Sequence, residues 1–245
     1  MGNFKLLLSY DGSRYKGWQR LGNSDQTIQG KLESVLTRMI GSPVEVIGSG
    51  RTDAGAHAMG QTANFHADTT MSCGEILAYL RHYLPEDIGV ISVEEVDDRF
   101  HSRFHAVEKT YVYRIWHSDA PCVFERKYVW CMTEPLDLDS MRLAARLFLG
   151  THDFLAFCSN KHFKKSSVRT LYRLDIEEVG PELRFSVTGD GFLYNMVRIL
   201  VGTLLAVGRG DLTVDDIPRI MESRVREQAG ETVPAKGLCL MEVRY

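Results

Sequence analysis

The 245-residue sequence has no apolar run long enough to cross a membrane. Its longest apolar stretch, around residues 199–207, is interrupted by glycine. The first segment, MGNFKLLLSYDGS, carries one lysine and then reaches a turn, without the apolar core and small-residue cleavage site of a secretory signal. Leu6 stands where a myristoylation signal has serine or threonine. We therefore expect a cytoplasmic protein that does not bind a membrane.

Cysteine is also scarce. The five cysteines are scattered and odd in number, and no two of them have C-x-x-C or zinc-site spacing. This pattern argues against a disulfide framework and against a cysteine-based metal site. His57 has no second ligand at a useful spacing, so we expect no metal. The cysteines are expected to be small, buried apolar residues.

The composition is that of a globular protein, with 44% hydrophobic and 25% charged residues, and it excludes a disordered or fibrous chain. The net charge of −3 gives no overall sign of nucleic-acid binding, but the charges are segregated. Residues 75–98 contain seven acids and one arginine, whereas residues 161–173 contain five basic residues and no acid. Such a basic face fits a phosphate backbone, and a solvated loop explains it equally well.

Apolar periodicity predicts strands and helices in an order that occurs twice. The first hundred residues read β-α-β-β-α-β, the order of a ferredoxin-like unit. Strands are predicted at 4–10, 44–48, 61–65 and 89–96, with helices at 28–40 and between the capping box of Ser72 and Glu75 and the stop at Pro85. In the second half, strands are predicted at 109–116, 126–131, 168–179, 183–189 and 238–243, with helices at 138–149, at 192–207 and after Thr213.

The length favours one large domain or two fused halves. We predict an α+β protein of two tandem ferredoxin-like halves, residues 1–103 and 104–245. The halves are expected to form one mixed, mainly antiparallel sheet, with helices on one face and a central cleft. No internal sequence repeat supports this division, which rests on the order of the elements.

The segment 48–60, GSGRTDAGAHAMG, is the most informative in the chain. It has four glycines and contains Arg51, Asp53 and His57, but no phosphate-binding glycine motif. One interpretation is a wide hairpin in which Asp53 hydrogen-bonds its own turn. The other is a catalytic carboxylate on a rigid loop, beside a basic neighbour, with glycines that allow a ligand to come close.

This loop, GSGRTDAGAHA, resembles the active-site motif of the tRNA pseudouridine synthase A family. The resemblance continues in the same order along nearly the whole chain. The further motifs are YDGSRYKGWQ (10–19), TIQGKLESVL (27–36), FHSRFHAVEKTYVYRI (100–115), LFLGTHDFLAF (147–157), VRTLY (168–172), GFLYNMVRILVGTLLAVG (191–208) and PAKGLCLMEVRY (234–245). Two positions depart from the pattern: Ala56, where the motif usually has valine, and Arg81, where asparagine is expected. Neither touches the expected chemistry.

The resemblance implies a cofactor-free isomerase that breaks the N1–C1′ bond of a uridine in tRNA, turns the base and joins C5 to C1′. It implies uridines at tRNA positions 38, 39 and 40, in the anticodon stem-loop, and a homodimer. The one carboxylate that this chemistry needs corresponds to Asp53. The residues leave three roles for Asp53: attack on the sugar, attack on the base, or removal of a sugar proton.

The resemblance also assigns Tyr111 to the active site. Tyr111 alternates with Tyr113 and Ile115 along a predicted strand, and this pattern alone favours the core face of a sheet. The resemblance instead places Tyr111 under the flipped uracil, as a stacking platform or as an acid or base.

Two arginines are candidates to support Asp53. Arg198 lies in an otherwise apolar helix, where the pattern alone indicates an edge residue that reaches solvent. The resemblance makes Arg198 the partner of Asp53, which would keep the carboxylate charged where burial disfavours charge. Arg51 is two residues from Asp53 and would share its face on an extended backbone.

Two other function classes are consistent with parts of the sequence. One is an RNA-binding protein without activity, which the set of Asp53, Tyr111 and Arg198 argues against. The other is an unrelated Asp/His hydrolase, which the lack of a metal-ligand set argues against, as does the basic stretch. In that stretch, the predicted tRNA-binding residues are Lys161, Lys164, Lys165 and Arg169.

Overall fold

The computed structural model describes residues 1–160 and 162–245. The described helices are α1 (Ile28–Ile40), α2 (Cys73–Tyr83), α3 (Leu138–Leu147), α4 (Met196–Arg209) and α5 (Asp216–Ser223). The described strands are β1 (Gly2–Tyr10), β2 (Val46–Gly48), β3 (His57–Ala67), β4 (Ile88–Val96), β5 (Glu108–His117), β6 (Trp130–Met132), β7 (Gly150–Asp153), β8 (Val168–Val179), β9 (Glu182–Gly189) and β10 (Leu238–Arg244).

The chain divides into two compact units. Residues 1–107 and 239–245 form the first, here called the N-terminal unit, and residues 108–238 form the C-terminal unit. The expected boundary lay after residue 103 and left the last strand with the second half. Strand β10 instead belongs to the N-terminal unit, where it pairs in parallel with β3.

The N-terminal unit has the β-α-β-β-α-β order of a ferredoxin-like fold, with neighbouring strands antiparallel in the order β4-β1-β3-β2. Helix α1 begins at the side-chain cap of Thr27 and ends at Gly41, whose φ of 82° is left-handed. Helix α2 begins at the predicted capping box of Ser72 and Glu75. The predicted positions of both helices are therefore confirmed.

The two faces of β1 are buried in different ways. On one face, alternate side chains (Phe4, Leu6, Leu8 and Tyr10) are buried, as the period of a strand requires. The apolar stripes of α1 and α2 complete this core, and each fully buried leucine or isoleucine contributes about 1.5–3 kcal/mol.

The opposite face of this sheet buries polar groups. The Asn64 amide donates to the Asn3 side-chain oxygen, and Asn3 donates to the backbone carbonyls of Asp97 and Phe100. The backbone N–H of Ser102 donates to the Asn64 oxygen at 2.9 Å. Because each of these buried amides is hydrogen-bonded, the segment that leads out of the N-terminal unit is fixed to its sheet.

In the C-terminal unit, neighbouring strands are antiparallel in the order β5-β9-β8-β7, and β6 pairs with β5 in parallel. Elements β5, α3, β8, β9 and α4 follow the first five positions of the β-α-β-β-α-β order. Helix α4 contacts both α3 and β5. Twelve of its residues are buried, in agreement with its apolar sequence. The prediction of an α+β protein with mixed, mainly antiparallel pairing is confirmed.

Several predicted details were wrong. Strand β3 begins at His57 and not near residue 61, so the loop before it is shorter than expected. The reason lies at Gly60, where a Cβ would be 2.2 Å from the Met241 carbonyl oxygen. This glycine lets β10 approach β3 and does not belong to a loop.

Further differences concern the C-terminal unit. Strand β7 (Gly150–Asp153) was not predicted. Strand β6 is shorter than predicted, and α4 begins at Met196 and not at residue 192, because Asn195 before it is left-handed, with a φ of 63°. Cys158 is buried as expected, but Cys131 is exposed. None of the described helices is long and apolar enough to cross a membrane.

Candidate active site

Asp53 lies half-buried on the loop that connects β2 to β3. The loop has no helix or strand of its own. The Ala56 N–H donates to the Asp53 carbonyl at 3.1 Å, and Gly55 takes a φ of 80°, so residues 53–56 form a tight turn. One turn hydrogen bond cannot fix a loop of this length, and the structure supplies the rest from another segment.

That segment is residues 11–18, which follows β1 and is here called the support segment. The Trp18 N–H donates to the Thr52 carbonyl at 3.1 Å, and the Gly55 N–H donates to the Tyr15 carbonyl at 3.2 Å. These two bonds join the support segment to the residues on both sides of Asp53. The backbone that carries the carboxylate is thereby fixed in the manner of a strand pair.

Two glycines allow this close contact. A Cβ at Gly12 would lie 1.9 Å from the Ala56 carbonyl oxygen, a distance that no side chain can adopt. A Cβ at Gly17 would lie 2.7 Å from the Thr52 carbonyl oxygen, and Gly17 also has a φ of 92°. Both glycines lie in the YDGSRYKGW stretch, and the loop they touch is the one that carries Asp53.

The base of the loop rests on a buried polar network. The Tyr10 hydroxyl and the Thr52 hydroxyl are 2.8 Å apart, and the Gln61 amide donates to Tyr10 and to the Gly50 carbonyl. Ser49 donates to the Gln61 side-chain oxygen at 2.5 Å. Burial raises the pKa of Tyr10 above its usual range, although bonds to Thr52 and Gln61 oppose this, so the phenol stays neutral.

His57 and Arg51 flank Asp53 differently. The Nδ1 atom of the buried His57 accepts from the Gly12 N–H at 3.1 Å and lies 3.2 Å from a carboxylate oxygen of Asp11. His57 therefore ties β3 to the support segment. Arg51 is exposed, while Thr52 between it and Asp53 is buried. Among residues 1–160 and 162–245, no group of three His, Cys, Asp or Glu side chains could hold a metal ion.

Tyr111 lies on β5 of the C-terminal unit, where it pairs with Val187 of β9. Its side chain is 7% exposed, and its ring meets that of Phe192 edge-on, with centroids 5.2 Å apart. Tyr113 and Ile115, on the same face of the strand, are fully buried. Tyr111 is thus the last aromatic side chain in a row that faces the core. This position is compatible with the core face that the sequence pattern indicates and with the active-site role that the resemblance implies.

Arg198 lies on α4 and is half-buried among apolar neighbours. Its Nε atom donates to the Val233 carbonyl at 2.7 Å, and its Nη1 atom donates to the Asn195 side-chain oxygen at 3.0 Å. Asn195 in turn donates to the Ser159 hydroxyl at 3.0 Å. The guanidinium is therefore held in place within its own unit, which differs from an edge residue that reaches freely into solvent.

Arg198 and Tyr113 lie close together in this unit. The Tyr113 hydroxyl donates to the Pro234 carbonyl at 2.7 Å. Burial raises the pKa of Tyr113 above its usual range, and the positive charge of Arg198 opposes this rise. The Arg198 guanidinium therefore lies near the buried aromatic side chains of β5.

The predicted phosphate contacts also belong to the C-terminal unit. Lys164 and Lys165 are exposed, and Arg169 is half-buried with its Nη1 atom bonded to the carbonyls of Ser166 and Val168. Lys161 lies outside the described residues. Nearby Asp153 accepts from Ser167 at 2.6 Å and pairs with Arg224 at 3.0 Å, so its role is structural.

The structure thus places the site residues in two groups. Asp53 and Arg51 belong to the N-terminal unit, whereas Tyr111, Arg198 and the basic residues belong to the C-terminal unit. The supporting residues Tyr10, Tyr15 and Gln61 were not singled out in the sequence. Most of their partners are distant in sequence or are backbone atoms, and only the glycines of the support segment gave a signal.

Comparisons with known proteins identify the family. The sequence model described as tRNA pseudouridine synthase matches residues 7–105 and 144–245. A protein of Bacillus sp. (strain KSM-64) named tRNA pseudouridine synthase A is 49% identical, and one of Acetivibrio thermocellus with the same name is 44% identical. A protein of Bacillus cereus named tRNA pseudouridine synthase A 2 is 47% identical. Each match covers 245 residues and 100% of both chains. The chain belongs to the tRNA pseudouridine synthase family, and it is an isomerase that acts on tRNA.

Proposed function

We propose that the protein converts uridine to pseudouridine at positions 38, 39 and 40, in the anticodon stem-loop of tRNA, with Asp53 as its catalytic residue and without a cofactor. The observation that carries the proposal is the support of the Asp53 loop. Backbone bonds from Tyr15 and Trp18 join it on both sides of the carboxylate. A carboxylate with only a turn-forming role would not need this second segment.

The reaction is balanced without an oxidant or a reductant. The N1–C1′ bond breaks and the C5–C1′ bond forms, while C5 loses a proton and N1 gains one, so that the product is an isomer of the substrate. In each of the three roles open to Asp53, the carboxylate must be charged and correctly placed. Placement within a fraction of an ångström is what the bonded loop supplies.

The C-terminal unit supplies the other two side chains of the proposal. The Tyr111 ring offers an apolar surface on which a uracil that has left its stack can rest. Arg198, held by Asn195 and Val233, offers a fixed positive charge as the partner of the Asp53 carboxylate. Arg51 is exposed on the Asp53 loop, where it suits a contact with the tRNA backbone.

The remaining parts of the proposal concern binding and assembly. Lys161, Lys164, Lys165 and Arg169 are assigned to phosphate contacts, because their stretch contains no acid. The basic surface of one chain is small beside a tRNA, so we assign the working form to a homodimer in the cytoplasm, in which one subunit holds the tRNA that the other modifies. Light scattering that gives the mass of one chain at micromolar concentration would contradict the dimer.

The deciding experiment compares wild type with Asp53→Asn on tRNA that has uridines in the anticodon stem-loop. The substitution keeps size and hydrogen bonding but removes the charge. We expect pseudouridine at positions 38 to 40 with wild type, none with Asp53→Asn, and equal tRNA affinity. Pseudouridine-specific chemical mapping reads the product. Asp68→Asn, at a carboxylate that is 96% exposed in the same unit, is the control and should keep full activity.

A measurable product with Asp53→Asn would remove Asp53 from the chemistry. Pseudouridine that forms only at other tRNA positions would keep the catalytic role of Asp53. It would show that the modified uridines lie outside the anticodon stem-loop.

A further inference from the structure

Asp87 lies outside the Asp53 loop, in the short connection between α2 and β4. Its side chain is only 10% exposed. Its carboxylate and its backbone carbonyl together bind three residues of the support segment. The Asp11 N–H donates to its backbone carbonyl, the Tyr15 hydroxyl donates to Oδ1, and Arg14 donates from Nε and Nη2 to Oδ2. One acidic residue thus receives four hydrogen bonds from residues 11–15.

Tyr15 connects Asp87 to the Asp53 turn. Its hydroxyl donates to Asp87 at 2.5 Å, and its backbone carbonyl accepts from the Gly55 N–H at 3.2 Å. The ring between these two contacts is 5% exposed, so the residue is fixed at both ends and along its side. Burial and the bond to Asp87 both raise the pKa of Tyr15 above its usual range, so the phenol keeps its donor proton at working pH.

We propose that Asp87 is a positioning residue for Asp53, and that it acts through Tyr15 on the Gly55 turn. The inference rests on the proposed function, since it assumes that Asp53 is catalytic. Asp87 is linked to the turn through Tyr15. Its contribution is to hold Tyr15 in one position. The Gly55 N–H then stays bonded to Tyr15, and the Asp53 carboxylate, two residues before Gly55, stays in place.

Arg14 also binds Asp87, from the surface of the protein. Its side chain is 70% exposed, but both of its donors are directed at Asp87. The guanidinium pairs with the negative charge of the Asp87 carboxylate through two bonds to Oδ2, and this orients Oδ1 toward the Tyr15 hydroxyl. Asp87→Asn keeps the shape and one acceptor oxygen but loses this charge, so it should have a smaller effect than Asp87→Ala.

The test measures single-turnover rates with tRNA saturated by enzyme, together with tRNA affinity and thermal midpoint. Tyr15→Phe removes the hydroxyl and keeps the ring, and Asp87→Ala removes the acceptor. Each should lower the rate by roughly 10- to 100-fold, as a small displacement of a reacting group does, and should leave affinity unchanged. The double variant should lose no more than Asp87→Ala alone, because both changes interrupt one path.

The matched control is Ser72→Ala, which removes the cap of α2 in the same unit and touches neither loop. It should lower the midpoint and keep the rate. Wild-type rates in Tyr15→Phe and Asp87→Ala, with Asp53→Asn inactive, would overturn the positioning role alone. Additive losses in the double variant, or an equal loss in Ser72→Ala, would overturn it too. Activity in Asp53→Asn would overturn the proposed function instead. If Asp87→Ala does not fold, Tyr15→Phe and Asp87→Asn decide the question.

Discussion

The two units hold the proposed active-site residues in opposite ways. Asp53 lies on a loop without regular structure, and a second segment fixes its backbone through bonds from Tyr15 and Trp18. Arg198 lies on α4, whose own hydrogen bonds fix the backbone. Only the Arg198 side chain needs an anchor, which Asn195 and Val233 supply.

The two units should therefore respond differently to substitutions that lie far from the proposed site residues. A loop that is held by another segment moves when that segment moves. A substitution far from Asp53 therefore displaces its carboxylate and lowers the rate. A residue on a helix or strand keeps its place when a neighbouring contact is lost, because the ladder of backbone bonds is intact. We therefore expect distant substitutions in the N-terminal unit to lower the reaction rate. In the C-terminal unit, distant substitutions should instead lower the free energy of unfolding.

Among variants that keep Asp53, the largest effect is expected from Gly12→Ala. The new methyl group would lie 1.9 Å from the Ala56 carbonyl oxygen, so the support segment and the Asp53 loop must separate. The bonds that Tyr15 and Trp18 make to this loop then lengthen or break. We expect a loss of more than about 100-fold in single-turnover rate, with tRNA affinity retained.

The control for this variant is Gly22→Ala, at a position just beyond the support segment where nothing lies within 4 Å of the added carbon. It should match wild type in rate and in thermal midpoint. A Gly12→Ala protein that folds and turns over normally would show that the close contact of the two segments is not needed for chemistry.

The next effect tests the proposed pairing of Arg198 with Asp53. Arg198→Met is neutral and similar in volume. Loss of the positive charge should lower turnover near neutral pH by about 100-fold or more, as removal of a preorganised charge partner does. Single-turnover rates at neutral pH, with tRNA saturating, measure this loss.

Arg198→Lys separates charge from geometry. Lysine keeps the charge but lacks the planar fork, and it cannot reproduce both bonds to Asn195 and Val233, so rescue should be incomplete. A wild-type rate in Arg198→Met at saturating tRNA would mean that Arg198 packs α4 or positions RNA.

The comparison also explains what the sequence could predict. Helix α1 was placed from its period and its glycine stop, and α2 from its capping box, because these signals are local. Asp53 was assigned through its motif, and its catalytic role stays a prediction. The anchor at Asp87 was not found, since Tyr15 is 72 residues away and no local rule joins them.

The wrong predictions have the same origin. Gly60 was assigned to a loop because glycine usually marks one, but the reason for this glycine is the backbone of Met241 on β10. Asn195 was assigned to the helix because its neighbours are apolar, whereas a left-handed residue delays the start of α4. In both cases a contact distant in sequence, or a single backbone conformation, outweighed the periodic pattern.

Glu182 provides a test in the C-terminal unit. The carboxylate, 7% exposed, joins β9 to β5 through Arg114, which donates from Nε at 2.9 Å and from Nη2 at 2.5 Å. Glu182→Gln should lower the free energy of unfolding by about 2 kcal/mol. The single-turnover rate should not change, because the ladder between β5 and β9 still holds Tyr111. Urea unfolding and rate measurements on the same preparation check both.

The pH dependence of this loss has a definite sign. Burial alone would raise the pKa of Glu182, but the bonds from Arg114 and Arg184 outweigh it and lower the pKa. Stability from a carboxyl with a lowered pKa is present above the ordinary value of 4.5 and is lost as the pH falls through the folded-state value. The gap between wild type and Glu182→Gln should therefore shrink in acid. A gap that is constant with pH, or a loss of rate at neutral pH, would contradict this account.

The smallest effect concerns the basic stretch. Its fourfold alanine variant removes the positive charges of Lys161, Lys164, Lys165 and Arg169. Each lost phosphate contact should make the slope of log K against log salt shallower by about 0.7–0.9. Because Arg169 also bonds two carbonyls of its own chain, we expect less from it than from the exposed lysines. Filter binding across a salt series measures the slope, with Arg142→Ala/Arg219→Ala as the control, since both of these arginines have acid partners. The control should keep the wild-type slope. If the fourfold variant keeps it too, the stretch is a solvated loop, and the tRNA backbone is held elsewhere.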